Sequence, residues 1–283
     1  MYGVGRTPSA RLPSVRGAPG LRMTELSSFN AKALLRAASE VAPDVVFHLA
    51  SAGVRDDDRD PRALLAGSVG LLVEVLDACR WWRPTKIIFT GSCSEYGPVR
   101  AATPVTEDSP SEPLEVYGAA KAAARLYGRA LAERYGLPLL ALRIFGTYGP
   151  GEGPERLIPY LSSKLRAGCP VDLTPGEQTR DMTFVDDVAK ALSAAARSAD
   201  LGDSGTFNVC SGRGVTVRQL CLEVARQLGA SERLLEFGAR PYRPGEAMWL
   251  VGDPSAFRQK TGWQPQVTLT EGVSCTLAAL AEG

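Results

Sequence analysis

A tyrosine and a lysine lie four residues apart in the segment VYGAAKAAARLYG (residues 116–128) and could do acid–base chemistry. On a helix, Tyr117 and Lys121 would share one face, because positions i and i+4 are one turn apart. A free tyrosine has a pKa of about 10 and is a poor base at neutral pH. A lysine ammonium one turn away stabilises the phenolate, so Tyr117 could then exchange a proton with a substrate hydroxyl. Because this spacing is common in proteins, the elements around the pair must decide its meaning.

The segments around the pair alternate between strand and helix patterns. Short apolar runs at 44–51 (DVVFHLAS), 86–92 (KIIFTGS) and 137–151 (LPLLALRIFGTYGPG) predict strands, and helical patterns lie around 64–80 and after residue 116. This order predicts an α/β fold with a doubly wound parallel sheet. Ligands of such sheets bind beyond the carboxyl ends of the strands, where Ser92 is expected.

The pattern changes beyond residue 150, where short strands and amphipathic helices follow one another. We predict a first domain over residues 1–150 and a smaller substrate-binding lobe over residues 151–283, with some segments returning to the main sheet. These boundaries put the Tyr117 helix in the first domain.

Composition and charge exclude several classes of function. The 283 residues include 32 basic and 31 acidic side chains, and the formal charge of +1 gives no electrostatic case for nucleic acid or an anionic membrane. No apolar run approaches the ~20 residues of a membrane helix. The first twenty residues lack the apolar stretch of a signal peptide, which predicts a cytoplasmic protein. The six cysteines show no zinc spacing, and the single histidine, His48, lies in a strand pattern, so we predict no metal site.

Six motifs occur in order along the chain: TGSCSEYG (90–97), YGAAK (117–121), RIFGTYGPG (143–151), RDMTFVDDVA (180–189), RPGE (243–246) and GWQP (262–265). This series resembles the nucleotide-sugar epimerase/dehydratase family of the extended short-chain dehydrogenase/reductases. The resemblance runs from about residue 2 to the C-terminus. It implies a Rossmann-type cofactor domain and a nucleotide-diphosphate sugar as substrate.

The resemblance also implies a role for individual residues. Ser92, Tyr117 and Lys121 would be catalytic, with Tyr117 exchanging a proton while hydride passes between the sugar carbon and the nicotinamide. Ser92 would hydrogen-bond the same sugar oxygen. Arg180 and Arg243 would contact the diphosphate, because planar guanidinium groups suit bidentate phosphate contacts. The expected cofactor contacts are Arg6, Thr7, Leu49, Ala50, Tyr117 and Lys121.

Arg6 bears on the choice of cofactor. A basic residue at the end of the second strand of the family's sheet suits the 2′-phosphate of NADP, whereas an acidic one would select NAD. We therefore prefer NADP, with NAD as the alternative. The family's habit of pairing through the helices at 64–80 and 117–135 predicts a homodimer.

Two departures from the family's pattern matter. Dehydratases of the family carry an acidic pair directly after the catalytic Ser or Thr, but here these positions are Cys93 and Ser94, which argues against 4,6-dehydration. The strand–GxxGxxG–helix unit that holds the cofactor pyrophosphate is also missing, because MYGVGRTP resembles the second strand of the family's sheet. Roughly 30 residues would be absent by this comparison. We therefore expect an upstream start, and for the chain as written weak cofactor binding and marginal stability.

Three functions compete. The first is reduction of a nucleotide-diphosphate 4-keto-6-deoxyhexose at C4, favoured by the S-x-EYG and G-x-Q-x-RD segments and by Arg6. The second is a 4-epimerase of a nucleotide-diphosphate sugar, which uses the same Ser92, Tyr117 and Lys121 but recycles bound NAD. The third is a non-catalytic nucleotide-sugar-binding or partner protein that has lost cofactor binding.

Overall fold

The computed structural model describes residues 1–5, 19–52, 60–99 and 102–282. The predicted cofactor residues Arg6 and Thr7 lie outside these ranges. The chain forms two compact, interleaved units. The first unit comprises residues 1–90, 120–141 and 202–205, and the second unit comprises residues 91–119, 142–201 and 206–283. The predicted domain boundary at residue 150 stays a prediction.

The described residues form twelve strands and nine α-helices. The strands are β1 (Tyr2–Gly5), β2 (Arg22–Glu25), β3 (Val45–His48), β4 (Lys86–Ser92), β5 (Leu139–Ile144), β6 (Gly146–Tyr148), β7 (Val171–Leu173), β8 (Thr179–Phe184), β9 (Ser204–Val209), β10 (Gly214–Thr216), β11 (Leu235–Phe237) and β12 (Trp249–Leu250). The helices are α1 (Ala31–Ala37), α2 (Pro61–Leu65), α3 (Leu71–Trp82), α4 (Val116–Tyr135), α5 (Leu157–Arg166), α6 (Val185–Arg197), α7 (Val217–Leu228), α8 (Ser255–Thr261) and α9 (Leu269–Glu282). Among the described residues, no helix is both long and apolar enough to cross a membrane.

Parallel strands flanked by helices confirm the predicted α/β class. A four-stranded sheet has the order β3-β4-β5-β9, and β3 pairs with β4 in parallel register from Val45 opposite Lys86 to His48 opposite Phe89. β1 and β2 form a separate two-stranded parallel sheet. Apolar side chains of α3, including Leu72 and Leu76, pack in one core with Ile87 of β4.

His48 ends β3 and is a structural residue, as its position in the strand pattern predicts. Only 3% of its surface is exposed, and its ring stacks on Phe89 with the centroids 5.8 Å apart. Burial, helped by the positive charge of Lys121, lowers the pKa of His48 to about 4. The imidazole is therefore neutral at physiological pH.

The predicted helix around residues 64–80 is interrupted. A π-helical turn at Ala66–Gly70 separates α2 from α3. This turn holds two glycines, Gly67 and Gly70, which favour the helix least among ordinary residues. A Cβ added at Gly67 would lie 2.3 Å from Cβ of Ala52. The backbone of this turn therefore lies closer to Ala52 than a residue with a side chain at position 67 would allow.

The second unit is built around β8. This strand pairs with β6 and β12 in parallel and with β10 antiparallel, while β7 and β11 form a small parallel pair. The single strand predicted over 137–151 is thus two strands, since β5 belongs to the four-stranded sheet and β6 pairs with β8. Helices α5, α7 and α9 cover this unit's core, which includes Leu161, Val224 and Val273.

Candidate active site

Strand β4 ends in a tight turn that orients Ser92. The turn Cys93–Glu95 is a short 3-10 helix with a capping box: Ser94 N–H donates to Oγ of Ser92 at 3.1 Å, and Ser92 N–H donates to Oε1 of Glu95 at 3.0 Å. Ser92 is 8% exposed. Its Oγ accepts the Ser94 N–H through one of its two lone pairs, and the hydroxyl can in addition donate one hydrogen bond.

Glu95 is fully buried and is paired with Arg143 of β5. Nε of Arg143 donates to Oε2 of Glu95 at 3.2 Å, and Nη1 of Arg143 donates to the carbonyl of Glu107 at 3.2 Å. The guanidinium lies 4.3 Å from the ring centroid of Tyr96. Both charged residues fall inside the sequence motifs, yet sequence reasoning gave them no role. The signal was an arginine within the apolar run LLALRIF, since a charge in a buried strand needs a partner.

Tyr117 lies in the first turn of α4 and is half-buried. The same helix carries Lys121 one turn further on, as the spacing predicts. A Cβ added at Gly118 would lie 2.3 Å from the carbonyl oxygen of Ser94. Only glycine allows this approach, which brings the first turn of α4 against the turn that follows Ser92.

In the first unit, Lys121 is buried at the end of β4. Its Nζ donates to the carbonyl oxygen of Thr90 at 2.9 Å and lies 5.3 Å from the ring centroid of Phe89. One of its three N–H bonds is thus directed by the strand. An ammonium fixed in this way provides a positive charge one helical turn from Tyr117.

A cavity of about 150 Å³ opens in the second unit beside the Ser92 turn. Its lining includes Ser94 and Gly97 from this turn, Leu114 and Glu115 from the segment before α4, and Arg180 from β8. Residues 245–247 and Leu250 complete the wall. The cavity therefore combines apolar surface with one cation and carboxylates.

Arg180 is held in place by Glu246. Nη2 of Arg180 donates to Oε1 of Glu246 at 2.6 Å, and Nη1 donates to its neighbour's carbonyl, that of Thr179, at 3.1 Å. Burial lowers the pKa of Arg180, and the Glu246 carboxylate opposes this shift. An arginine stays charged under both influences, so Arg180 presents a cation to the cavity.

Cys93 lies near Arg180 but is not a reactive thiol. Burial raises the pKa of Cys93 to about 12, and the positive charge of Arg180 opposes this only in part. Its side chain packs against the apolar cluster around Phe145. The thiol is protonated at neutral pH and cannot act as a general base or nucleophile there.

The other predicted site residues lie elsewhere on the surface of their units. Arg243 is exposed and begins the turn that leads to Glu246, whose N–H donates to the Arg243 carbonyl at 3.0 Å. In the first unit, Leu49 and Ala50 are exposed directly after β3. Among the described residues, no group of histidine, cysteine and carboxylate side chains could hold a metal ion.

Comparison with known proteins settles the family. Residues 2–210 match the NAD dependent epimerase/dehydratase family. The chain belongs to this family. UDP-glucose 4-epimerase of Mycolicibacterium smegmatis is 32% identical over 244 residues, which cover 84% of this chain and 76% of the relative. dTDP-glucose 4,6-dehydratase of Xanthomonas campestris pv. campestris (strain B100) is 28% identical over 260 residues, which cover 86% of this chain and 74% of the relative.

Solved structures of family members share the fold. UDP-glucose 4-epimerase of Thermotoga maritima, solved with UDP-glucose, superposes with a TM-score of 0.88 at 27% identity over 99% of this chain and 90% of that one. UDP-glucose 4-epimerase of Thermus thermophilus, solved with NAD, gives a TM-score of 0.83 at 25% identity over 99% of both chains. The predicted family and the nucleotide-sugar class of enzyme are thereby confirmed.

The described residues fit one end of the family's NAD cofactor. Lys121, with its Nζ directed at the end of β4, suits the nicotinamide ribose, and Leu49 and Ala50 leave the carboxyl end of β3 accessible. The sequence holds no GxxGxxG segment for the pyrophosphate. Within the ranges that the structure describes, the residues that fit the cofactor lie at its nicotinamide end.

The approach at Gly118 predicts a selective loss of activity. Gly118→Ala places a methyl group against the backbone oxygen of Ser94, so the first turn of α4 must move away from Ser92. We expect kcat to fall by about 10² while the far-UV circular dichroism is unchanged, since a misplacement of 1 Å can cost that much. The matched control is Gly128→Ala in the same helix, where the methyl group meets side-chain atoms of Leu72 and Leu139 and no backbone atom within the three nearest contacts. Equal kcat values in the two variants would contradict this positioning.

Proposed function

We propose that the protein is a 4-epimerase of a UDP-hexose. The observation that carries this proposal is the close approach in this chain of the first turn of α4, which holds Tyr117, to the turn after Ser92. The identity of 32% with UDP-glucose 4-epimerase of Mycolicibacterium smegmatis supports it. Tyr117, Lys121 and Ser92 are the groups that oxidation and re-reduction of a sugar alcohol need. The 4-epimerase, the alternative in the sequence analysis, thus becomes the first candidate.

In the proposed reaction Tyr117 removes the proton of the sugar 4-hydroxyl and later returns it. Lys121 stabilises the tyrosinate through its positive charge, which the hydrogen bond to Thr90 keeps in place. Ser92 donates its hydroxyl hydrogen to the same sugar oxygen, while one of its two lone pairs accepts the Ser94 N–H. NAD, when bound, would supply the acceptor for the C4 hydride, and its reduced form would supply the donor that returns this hydride to the opposite face of the sugar.

We propose that the diphosphate of the substrate binds at Arg180, with Arg243 as a second contact. The support is the position of Arg180 in the wall of the cavity, where it is partly shielded from water and held by Glu246. A planar guanidinium in this setting suits two phosphate oxygens at once. Arg243 is exposed only three residues before Glu246 and lies on the same turn.

Dehydration at C5 and C6 is disfavoured by the residues after Ser92. Cys93 is a protonated thiol and Ser94 has no carboxyl group. The carboxylate of Glu95 accepts hydrogen bonds from Ser92 N–H and Arg143 and is fully buried. We therefore infer that the acid and base of a 4,6-dehydratase are lacking here.

A 4-ketoreductase acting on a nucleotide-diphosphate 4-keto-6-deoxyhexose is the second candidate. It would use Ser92, Tyr117 and Lys121 with reduced cofactor, and Arg6, which follows Gly5 in the sequence, favours NADPH by its charge. For the epimerase we propose NAD, the cofactor of the Thermus thermophilus relative's structure. Assays of UDP-galactose with NAD and of a 4-keto sugar with NADPH separate the two candidates.

We also propose a homodimer. The support is a set of large apolar side chains exposed on the helices of the first unit, among them Trp81 on α3 and Leu126 and Tyr127 on α4. A molar mass of two chains by light scattering would support it, and a mass of one chain would contradict it.

Tyr117→Phe is expected to abolish epimerisation while substrate binding survives, because the hydroxyl is needed only for proton transfer. Ser92→Ala should lower kcat less, by about 10², as expected for one lost hydrogen bond to a developing charge. Both are measured by conversion of UDP-galactose to UDP-glucose with NAD present. Retention of more than about a tenth of kcat in Tyr117→Phe would remove tyrosine from the mechanism.

Absence of turnover in the wild-type chain with every sugar and cofactor would favour the third candidate, a non-catalytic nucleotide-sugar-binding or partner protein.

Arg180→Ala is expected to raise KM for the nucleotide sugar by about 10² and to change kcat less than about threefold, since diphosphate contacts persist from ground state to transition state. Arg180→Lys should lie between the two, because an ammonium keeps the charge but loses the bidentate geometry. Arg213→Ala, an exposed arginine of the same unit outside the cavity, is the control. An unchanged KM in Arg180→Ala would show that the substrate site is misplaced.

A further inference from the structure

We propose that Glu95 is a positioning residue for catalysis: its buried carboxylate, anchored by Arg143, fixes the backbone of Ser92 and so aims the Ser92 hydroxyl at the reacting oxygen. This inference rests on the proposed function, because it gives Glu95 its role through Ser92. Glu95 itself touches no substrate in this account.

The two carboxylate oxygens of Glu95 do different work. Oε1 accepts the N–H of Ser92 at 3.0 Å, and Oε2 accepts Nε of Arg143 at 3.2 Å. The backbone carbonyl of Glu95 accepts the hydroxyl of Ser111 at 2.8 Å. Glu95 thus ties the residue before the turn, the turn itself and a neighbouring loop into one rigid piece.

Arg143 is in turn held from three sides, so it cannot follow Glu95 if the turn moves. Its Nη1 donates to the Glu107 carbonyl, and its guanidinium stacks on Tyr96. The Tyr96 hydroxyl donates to Oδ1 of Asn208 at 2.6 Å, and Asn208 N–H donates to Oε1 of Glu107 at 2.7 Å. These bonds join Glu95, Arg143, Tyr96, Asn208 and Glu107 into one network, and Oε1 of Glu95 connects this network to Ser92.

The backbone beside Ser92 is shaped to admit this carboxylate. A Cβ added at Gly91 would lie 2.5 Å from Oε1 of Glu95. Burial of an ion pair is weak evidence for stability, because the cost of desolvation offsets the attraction between the charges. The Glu95–Arg143 pair is bonded to the backbone of Ser92, and Gly91 leaves the space that the Glu95 carboxylate occupies. This arrangement is better explained by the geometry that the pair imposes on Ser92.

A merely structural role makes a different prediction from a positioning role. If Glu95 only stabilises the fold, its removal lowers the stability of every variant and leaves kcat per folded molecule unchanged. If Glu95 acts through Ser92, its removal lowers kcat in the wild type and has no further effect once the Ser92 hydroxyl is gone. Two groups that act as one unit are non-additive in this way.

The experiment is a double-mutant cycle on the full chain with Glu95→Ala, Ser92→Ala and the combination, assayed for turnover of UDP-galactose with NAD. We expect Glu95→Ala to lower kcat between about tenfold and about a hundredfold with KM changed less than about twofold, since the serine is misaligned rather than lost. In the Ser92→Ala background we expect less than about a twofold further change. Glu95→Gln keeps an oxygen for the Ser92 N–H and should recover part of the loss.

The matched control is Asp187→Asn. Asp187 is also a fully buried carboxylate of the second unit, and its Oδ2 accepts backbone N–H groups of Gln266 and Val267 at 2.8 Å. Its removal should lower the unfolding midpoint in urea and leave kcat within about twofold. If Glu95→Ala fails to fold, Glu95→Gln replaces it in the cycle.

The outcomes separate this inference from the proposed function. A kcat within about twofold of wild type for Glu95→Ala, or an equal loss in the presence and absence of the Ser92 hydroxyl, would overturn the positioning role. An unimpaired Ser92→Ala variant would instead overturn the catalytic role of Ser92. If the wild type shows no turnover, crystal structures of wild type and Glu95→Ala decide the matter, because the alanine removes the acceptor of the Ser92 N–H and an unchanged Ser92 side-chain direction would overturn the inference.

Discussion

A fully buried carboxylate at the carboxyl end of β4 constrains the Ser92 turn, β5 and the loop at Ser111. Glu95 has no exposed surface, and an unpaired charge at such a depth would be costly enough to unfold the turn. Arg143 must therefore lie beside Glu95, and this pairing restricts the position of β5, which carries Arg143. Once the pair is formed, the Ser92 backbone has little freedom. The hydrogen bonds that satisfy the charge also hold the backbone of Ser92, and the proposed positioning role depends on this coupling.

The second constraint is a pair of glycines, Gly97 and Gly118, at which two backbone segments come closer together than any side chain would allow. Gly118 lets the first turn of α4 reach the Ser94 carbonyl, and Gly97, with a φ of 72°, adopts the left-handed conformation that turns the chain toward the carbonyl of Glu112. A Cβ at Gly97 would lie 2.0 Å from that carbonyl. Tyr117 and Lys121 both belong to α4, four residues apart. Helical rise and pitch then fix the spacing of the two side chains.

Much of this arrangement could be predicted from the sequence, because its signals are local. The apolar run KIIFTGS gives β4 with the same ends in the structure, and the Tyr-x-x-x-Lys spacing lies on a helix as expected. The interruption of the helix at Gly67 and the change of sheet between β5 and β6 depend on tertiary contacts, which a periodic pattern does not contain. The partners Glu95–Arg143 and Arg180–Glu246 are 48 and 66 residues apart along the chain, so only the fold brings them together.

The most direct test of the account is the fate of the hydrogen at C4 of the sugar. UDP-galactose carrying deuterium at C4 would be converted to UDP-glucose by the full chain, and the product analysed by mass spectrometry and NMR. Removal of this hydrogen as hydride within a closed site, with Tyr117 handling only the hydroxyl proton, predicts that the product retains its deuterium at C4 in ordinary water. Loss of the deuterium to solvent would contradict the account, because it would mean that C4 itself is deprotonated by a base that exchanges with water.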